Sequence, residues 1–124
     1  MQKLLLLTIL FAQIACGQNH ESRTSHGPNY AKRELAKAIQ DTSSKQILVD
    51  TLIKDNEAAT QVSEAILFKI YGKNNILKQK PYEINFINGY WVLNGTLPKN
   101  TLGGTFLIII SALNGQIIKL THGK

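Results

Sequence analysis

The chain is poor in the residues that build disulfides, metal sites and acid–base catalysts. Its 124 residues include one cysteine, eight acidic residues and three histidines. A lone cysteine cannot form an intramolecular disulfide or a cysteine-based metal cluster, so the fold must rest on its hydrophobic core. Asp55 and Glu57 are the carboxylates closest in sequence, and they lie where a helix begins, as carboxylates that stabilise the helix dipole do. We therefore expect no enzyme activity, no metal site and no cofactor.

The surplus of basic residues is spread along the chain. The formal net charge is +6, yet no compact run of five or six basic residues occurs. Basic residues are also not interleaved with aromatic residues, as they are on nucleic-acid-binding surfaces. The composition therefore argues against nucleic acid as a partner. It leaves anionic lipid headgroups, an acidic protein partner or a generally solvated surface as the reason for the charge.

The N-terminus has the pattern of a bacterial export signal. Lys3 precedes the apolar run of residues 4–12, which is too short to span a membrane. Residues 13–16 then resemble a lipobox, in which the cysteine is acylated, although Gln13 stands where Leu is usual. We predict a signal peptide over residues 1–15, lipidation of Cys16, a tether over 16–29, and a chain exported to the cell envelope and lipid-anchored to a membrane. An ordinary signal peptide or an uncleaved apolar anchor is the alternative.

Residues 30–124 are expected to form one domain that begins with helices. The segment Tyr30–Gln40 is a good helix former with apolar and basic sides. The strongest helix signal follows Asp55 or Asn56 as the N-cap and stops at Gly72. For residues 42–54 the pattern leaves strand and helix both open. The predicted apolar side of the central helix is formed by Ala58, Ala59, Val62, Ala65, Ile66 and Ile70.

Beyond Pro81 the apolar period changes from helical to two, which predicts strands. Asn88-Gly89 is a strong signal for a two-residue hairpin turn, and it sets Ile87 opposite Tyr90 and Phe86 opposite Trp91. The predicted core face carries Tyr82, Ile84, Phe86, Trp91 and Leu93. The predicted reverse face carries Glu83, Asn85, Ile87, Tyr90, Val92 and Asn94.

A second hairpin is predicted around Asn114-Gly115. A two-residue turn there sets Ile109 opposite Leu120 and Ile110 opposite Lys119. The preceding strand, TFLIIISA, is apolar on both sides, which in an antiparallel sheet indicates that both faces are covered. The cover would be the helix Tyr30–Gln40, a second copy of the chain in a homodimer, or another partner.

Five segments together resemble one family: SEAILFKIYG, KQKPYEINF, YWVLNGTLP, the pair Gly103-Gly104, and LNGQIIKLTHGK. The family is the NTF2-fold immunity proteins of bacterial polymorphic toxin systems, and the resemblance covers about residues 55–124. It implies an α+β, NTF2-like or cystatin-like fold in which one main helix packs on a curved four-stranded antiparallel sheet, with a shorter N-terminal helix. It brings no catalytic residues. Positions that match the family pattern are Trp91, Gly95, Pro98, Gly103, Gly104, Asn114, Gly115, His122, Gly123 and Lys124.

The resemblance implies a non-enzymatic, exported immunity-type domain that neutralises a cognate toxin by protein–protein binding. His122, alone at the chain end, is expected to be structural or solvated. A general envelope lipoprotein with a structural or inhibitory role is the first alternative. An enzyme or small-ligand binder that uses the NTF2-like cone is the second, and it requires that the cone hold an open pocket lined by at least two titratable groups. The candidate partner-binding residues are Ile87, Tyr90, Val92, Phe106, Ile108, Ile110 and Lys119.

Overall fold

A computed structural model describes residues 23–42 and 46–124, and the chain divides into two compact units after Thr42. The predicted signal peptide, Cys16 and the first half of the tether, through residue 22, lie outside the described residues. Within the described ranges, no helix has the length and apolar character needed to cross a membrane. The elements are α1 Gly27–Gln40, α2 Asn56–Tyr71, α3 Lys73–Leu77, β1 Glu83–Ile87, β2 Tyr90–Asn94, β3 Phe106–Ser111 and β4 Ile117–His122.

Helix α1 belongs to the first unit and confirms the predicted N-terminal helix. It begins three residues earlier than predicted, at Gly27, because Pro28 fits the first turn of a helix, where its missing N–H costs nothing. None of its residues is buried. Residues 46–54, part of the segment that the sequence left open, form bends and irregular backbone without a helix or a strand.

Helix α2 has the predicted ends and only part of the predicted buried face, since Ala59 is buried and Ala58 and Ile66 pack against the core. The Asp55 side chain caps it by accepting from the Ala58 N–H at 2.8 Å, and Gly72 ends it with a φ of 86°. The buried residues are Ala59, Ser63 and Leu67. Val62 and Ile70, which were predicted on the apolar side, are exposed. The small side chains of Ala59 and Ser63 give the helix a narrow buried stripe.

The sheet is an antiparallel meander in the order β1-β2-β3-β4. The first hairpin has the predicted register, with Phe86 opposite Trp91. Asn88 and Gly89 have φ angles of 49° and 83°, the left-handed pair that a tight two-residue turn requires. Trp91 is buried, whereas Phe86 is 57% exposed on the edge strand and packs its ring 4.8 Å from the indole.

The predicted register of the second hairpin is wrong. Ile108, not Ile109, lies opposite Leu120, and a bulge after Ile109 then sets Ile110 opposite Ile117. The turn is longer than two residues, because the Ser111 N–H donates to the Gln116 carbonyl and the whole of 112–116 forms the loop. On β3, Ile108 and Ile110 pair with the buried Leu93 and Trp91, so the core face carries Phe106, Ile108 and Ile110, all fully buried.

The core lies between α2 and the sheet, and Ile53, which precedes α2, is buried at one end of it. The Trp91 indole N–H donates to the Ile53 carbonyl at 2.9 Å, and the N–H groups of Leu52 and Ile53 donate to the Ala112 carbonyl. This contact ties the chain before α2 to the end of the sheet that holds the hairpin loops. The α+β architecture is the one predicted: a main helix packed on a four-stranded antiparallel sheet.

Candidate partner-binding face

The face of the sheet that points away from α2 carries an apolar patch near the hairpin loops. Pairing across β1, β2 and β3 brings Ile87 beside Tyr90 and Val92 beside Ile109. With Ile118 from β4, these side chains line a shallow depression of about 300 Å³. Ile87 and Ile118 are 54% and 51% exposed. We call this set the outer patch: Ile87, Tyr90, Val92, Ile109 and Ile118.

The structure places the predicted partner-binding residues on two different faces. Ile87, Tyr90 and Val92 belong to the outer patch, and Lys119 pairs with Ile109 at its border. The assignment of Phe106, Ile108 and Ile110 to this face is wrong, because all three are fully buried in the core.

Ile109 and Ile118 are the outer-patch members that sequence reasoning missed. The pairing of β2 with β3 decides their face, and the connection over residues 95–105 is too long to fix that register from sequence. The bulge after Ile109 shifts the register of β4 once more.

Away from the hairpin loops the outer face becomes polar. Glu83 accepts a hydrogen bond from the Asn94 amide at 2.7 Å, across the β1–β2 pair. Thr121 lies opposite Leu107 on the neighbouring pair. The outer patch therefore has an apolar centre at one end of the sheet and a polar rim toward the other, which is the usual arrangement of a protein–protein contact.

A buried amide organises the opposite end of the sheet. Gln79, 2% exposed, accepts from the Phe106 N–H at 2.9 Å and donates to the Asn75 carbonyl at 3.2 Å. These two bonds fix the amide orientation, so its nitrogen faces the His122 Nε2 as a donor at 3.0 Å. His122 is then the neutral Nδ1–H tautomer, whose Nδ1 donates to the Gly123 carbonyl at 2.7 Å. His122 is thus a structural residue, as predicted.

Close backbone approaches at this end explain three of the glycines in the family pattern. A Cβ on Gly95 would meet the Gln79 side chain, and a Cβ on Gly104 would meet the backbone of Gly123. The Gly123 N–H also donates to the Thr105 carbonyl at 3.0 Å, which holds the C-terminus against the start of β3. These glycines are therefore required for packing.

A polar cluster joins α2 to the start of β1. The Tyr82 hydroxyl donates to Glu64 Oε1 at 3.1 Å, and Lys80 Nζ lies 2.9 Å from the same oxygen. Burial first, and then the bond to Glu64, raise the pKa of the Tyr82 hydroxyl. Tyr82 therefore stays protonated, and the Lys80 ammonium offsets the charge of Glu64. The cluster links α2 to the segment that precedes β1 at the protein surface.

A second depression lies beside the edge strand β1. It has a volume of about 620 Å³, is wide open, and contains one acidic and one basic side chain, Asp50 and Lys54. Residues 23–42 and 46–124 contain no group of three or more His, Cys, Asp or Glu side chains that could hold a metal ion. The remaining lining residues are Leu48, Val49, Thr51 and Phe86.

Comparison with known proteins gives one family and two relatives. Residues 58–124, more than half of the chain, match the family described as NTF2 fold immunity protein. The uncharacterized protein YhhH of Escherichia coli K12 is 32% identical over 83 residues, 66% of this chain and 65% of YhhH. The uncharacterized protein YbbC of the same strain is 32% identical over 77 residues, 61% of this chain and 63% of YbbC. The chain thus spans less than two thirds of either relative. No solved structure matches.

Proposed function

Because the chain belongs to the NTF2-fold immunity proteins, we propose that it is a non-enzymatic binding protein that neutralises a cognate toxin by covering part of the toxin surface. The outer patch is the contact. It carries the proposal because five apolar side chains meet on a sheet face that α2 leaves open, and two of them are more than half exposed. An exposed apolar patch with a polar rim marks an interaction surface.

The net positive charge of residues 58–124, with Lys119 at the border of the outer patch, indicates the chemistry of the partner. Residues 58–124 hold seven lysines and two carboxylates. Both carboxylates have partners, since Glu64 pairs with Lys80 and Glu83 accepts from Asn94. A toxin surface that is acidic around an apolar centre fits this arrangement, and opposite charge would speed the encounter and favour the correct partner.

The location in this proposal is the cell envelope, reached through the predicted signal peptide and a lipid on Cys16. The sequence pattern of residues 1–16 supports it. Fractionation of cells that express the native chain and its Cys16→Ser variant tests the anchor. Native protein should sediment with membranes and carry the mass of the acyl chains, and the variant should be released. Equal distribution of the two proteins would exclude a lipid anchor at Cys16.

The binding proposal is tested by co-expressing the chain with the products of adjacent genes and measuring both toxicity and complex formation. Ile87→Lys places a charge in the outer patch at a position more than half exposed. Leu102→Lys is the matched control, because Leu102 is 98% exposed in the loop between β2 and β3. We expect Ile87→Lys to weaken the complex at least about 100-fold, as losing a buried apolar anchor does. The control should bind as the native chain does.

Three outcomes would redirect the proposal. Full protection by Ile87→Lys would show that the toxin binds elsewhere. A concentration-dependent dimer broken by the same variant would make a second copy of the chain the occupant of the outer patch. An envelope component captured without protection from any toxin would favour the general envelope lipoprotein. Trp91 fluorescence, which reports on the core, verifies that each variant is folded.

A further inference from the structure

Helix α1 presents an apolar stripe to its surroundings. Its 14 residues include no buried side chain, and an isolated helix of that length is only marginally stable in water. Successive helical residues are about 100° apart, which gathers four apolar side chains in an arc of about 100°. Leu35 and Ile39 are 62% and 71% exposed. The four residues of this stripe are Ala31, Leu35, Ala38 and Ile39.

The rest of the helix surface is cationic. The helix carries three basic residues, Lys32, Arg33 and Lys37, and one carboxylate, Glu34, which pairs with the Lys37 ammonium at 2.8 Å. The hydrogen bond to Glu34, followed by charge attraction, raises the pKa of Lys37. A narrow apolar stripe with a cationic polar side is typical of helices that lie in the headgroup layer of an anionic bilayer. Lys and Arg stems cover apolar surface there while their charged ends reach the phosphates.

The position of α1 in the chain also favours a membrane. Ten residues, 17–26, separate Cys16 from Gly27. An extended chain spans at most about 3.6 Å per residue, so a lipid on Cys16 would keep the start of α1 within about 40 Å of the bilayer. By contrast, residues 46–124 carry eight lysines and five carboxylates. Their net positive charge disfavours this part of the chain as a surface for a cationic helix.

We propose that α1 is an interfacial helix that lies in the headgroup layer of an anionic membrane. Leu35 and Ile39 point toward the acyl chains. The basic side chains contact the lipid phosphates. This inference rests on the proposed envelope location, because the lipid anchor supplies the proximity, and it adds that the anchored chain contacts the bilayer through a second, reversible element. A membrane contact of this kind would give the 14-residue helix, none of whose residues is buried, a surface to pack on.

The test uses environment-sensitive labels in the full-length chain. Cys16 is the only cysteine, so a Cys16→Ser background accepts one NBD label at a chosen site. Leu35→Cys labels the middle of the stripe, and Gln40→Cys labels a polar position about 140° away. The labelled proteins are mixed with vesicles of phosphatidylglycerol and phosphatidylcholine, or of phosphatidylcholine alone. Because residues 1–15 can enter vesicles by themselves, the comparison of the two labels is the readout.

We expect a blue shift and a severalfold rise of NBD emission at position 35 in anionic vesicles, with little change at position 40. The double change Lys32→Gln and Arg33→Gln should lower the affinity for anionic vesicles, measured by titrating the emission at position 35, at least about ten-fold. Each basic residue near an anionic surface contributes about five-fold to this affinity. Equal responses at both positions would overturn the proposal. A blue shift at 35 without vesicles would also overturn it, because a protein surface would then cover the stripe. Either failure leaves the lipid anchor standing, since fractionation of Cys16→Ser measures that separately.

Discussion

Replacement of Gln79 by leucine should destabilise the fold more than any exposed substitution. The change keeps the side-chain volume and removes the amide that accepts from the Phe106 N–H, donates to the Asn75 carbonyl and faces His122. Among these partners, the Phe106 N–H is buried, so solvent does not replace the lost acceptor. The variant therefore leaves an unpaired donor at the start of β3.

The magnitude follows from the number and burial of the lost bonds. An unpaired buried donor costs about 1–3 kcal/mol, and each partly buried hydrogen bond contributes about 0.5–1.5 kcal/mol. Leucine recovers part of this sum by burying apolar surface. We expect the free energy of unfolding to fall by about 2–4 kcal/mol for Gln79→Leu.

Urea unfolding followed by Trp91 fluorescence measures the change, because Trp91 is the only tryptophan and is buried in the core. The control is Gln61→Leu on the exposed surface of α2, where the amide donates only to Glu57 at 3.2 Å. It should alter the free energy of unfolding by less than about 0.5 kcal/mol. If the two variants unfold at the same urea concentration with unchanged slopes, the buried amide does not hold the end of the sheet together.

Three further predictions concern the same unit. Gly95→Ala should cost about 1–3 kcal/mol in urea unfolding because its Cβ would meet a buried side chain; wild-type stability would refute the close approach. Ile108→Gln should cost at least about 3 kcal/mol, since it buries an unpaired amide in place of an apolar side chain, whereas Ile109→Gln on the outer face should cost about 1 kcal/mol or less; equal costs would contradict the face assignment. The raised pKa of Tyr82 means that the folded chain keeps a proton that the unfolded chain loses above about pH 10, so stability should fall as pH rises beyond that value. The urea midpoint of Tyr82→Phe should fall less between pH 9 and 11 than that of the native chain. If the two midpoints fall equally over this range, Tyr82 does not cause the pH dependence of stability.

Local signals in the sequence were sufficient for the parts of the fold that depend on neighbours in the chain. The Asp55 cap, the Gly72 stop and the Asn88-Gly89 turn each act over fewer than five residues, and each lies where the pattern predicts. The register of the first hairpin follows directly from its turn, because a two-residue loop allows one pairing. Three of the five outer-patch residues, Ile87, Tyr90 and Val92, follow from that register.

The parts that could not be predicted depend on long connections or on choices among similar residues. Residues 95–105 link β2 to β3, and a loop of that length does not set which face Ile108 takes. The 112–116 loop contains Asn114-Gly115 but bonds as a longer turn, with the Asn114 side chain accepting from the Gln116 N–H at 3.0 Å. Apolar residues also occur on several sides of α2. The helical period therefore does not decide which of two neighbouring stripes, one residue apart, faces the core.

The role of Gln79 had no visible signal. It stands between Lys78 and Lys80, in a run that looks solvated, yet it is almost fully buried. Its partners come from three elements, and two of them, Phe106 and His122, lie far from Gln79 in sequence. A glutamine is buried at little cost only when its amide finds such partners, and only the folded chain shows that they are there.

The attachment of residues 52–53 determines how the second unit carries mechanical load. A pull from the N-terminal side of the chain enters this unit through the bonds of Leu52 and Ile53 to Ala112 and to the Trp91 indole. Trp91 belongs to β2 and Ala112 directly follows β3, the two inner strands of the sheet. Tension is thus delivered to the middle of the sheet, where neighbouring strands on both sides share it, and an edge strand is not peeled away first.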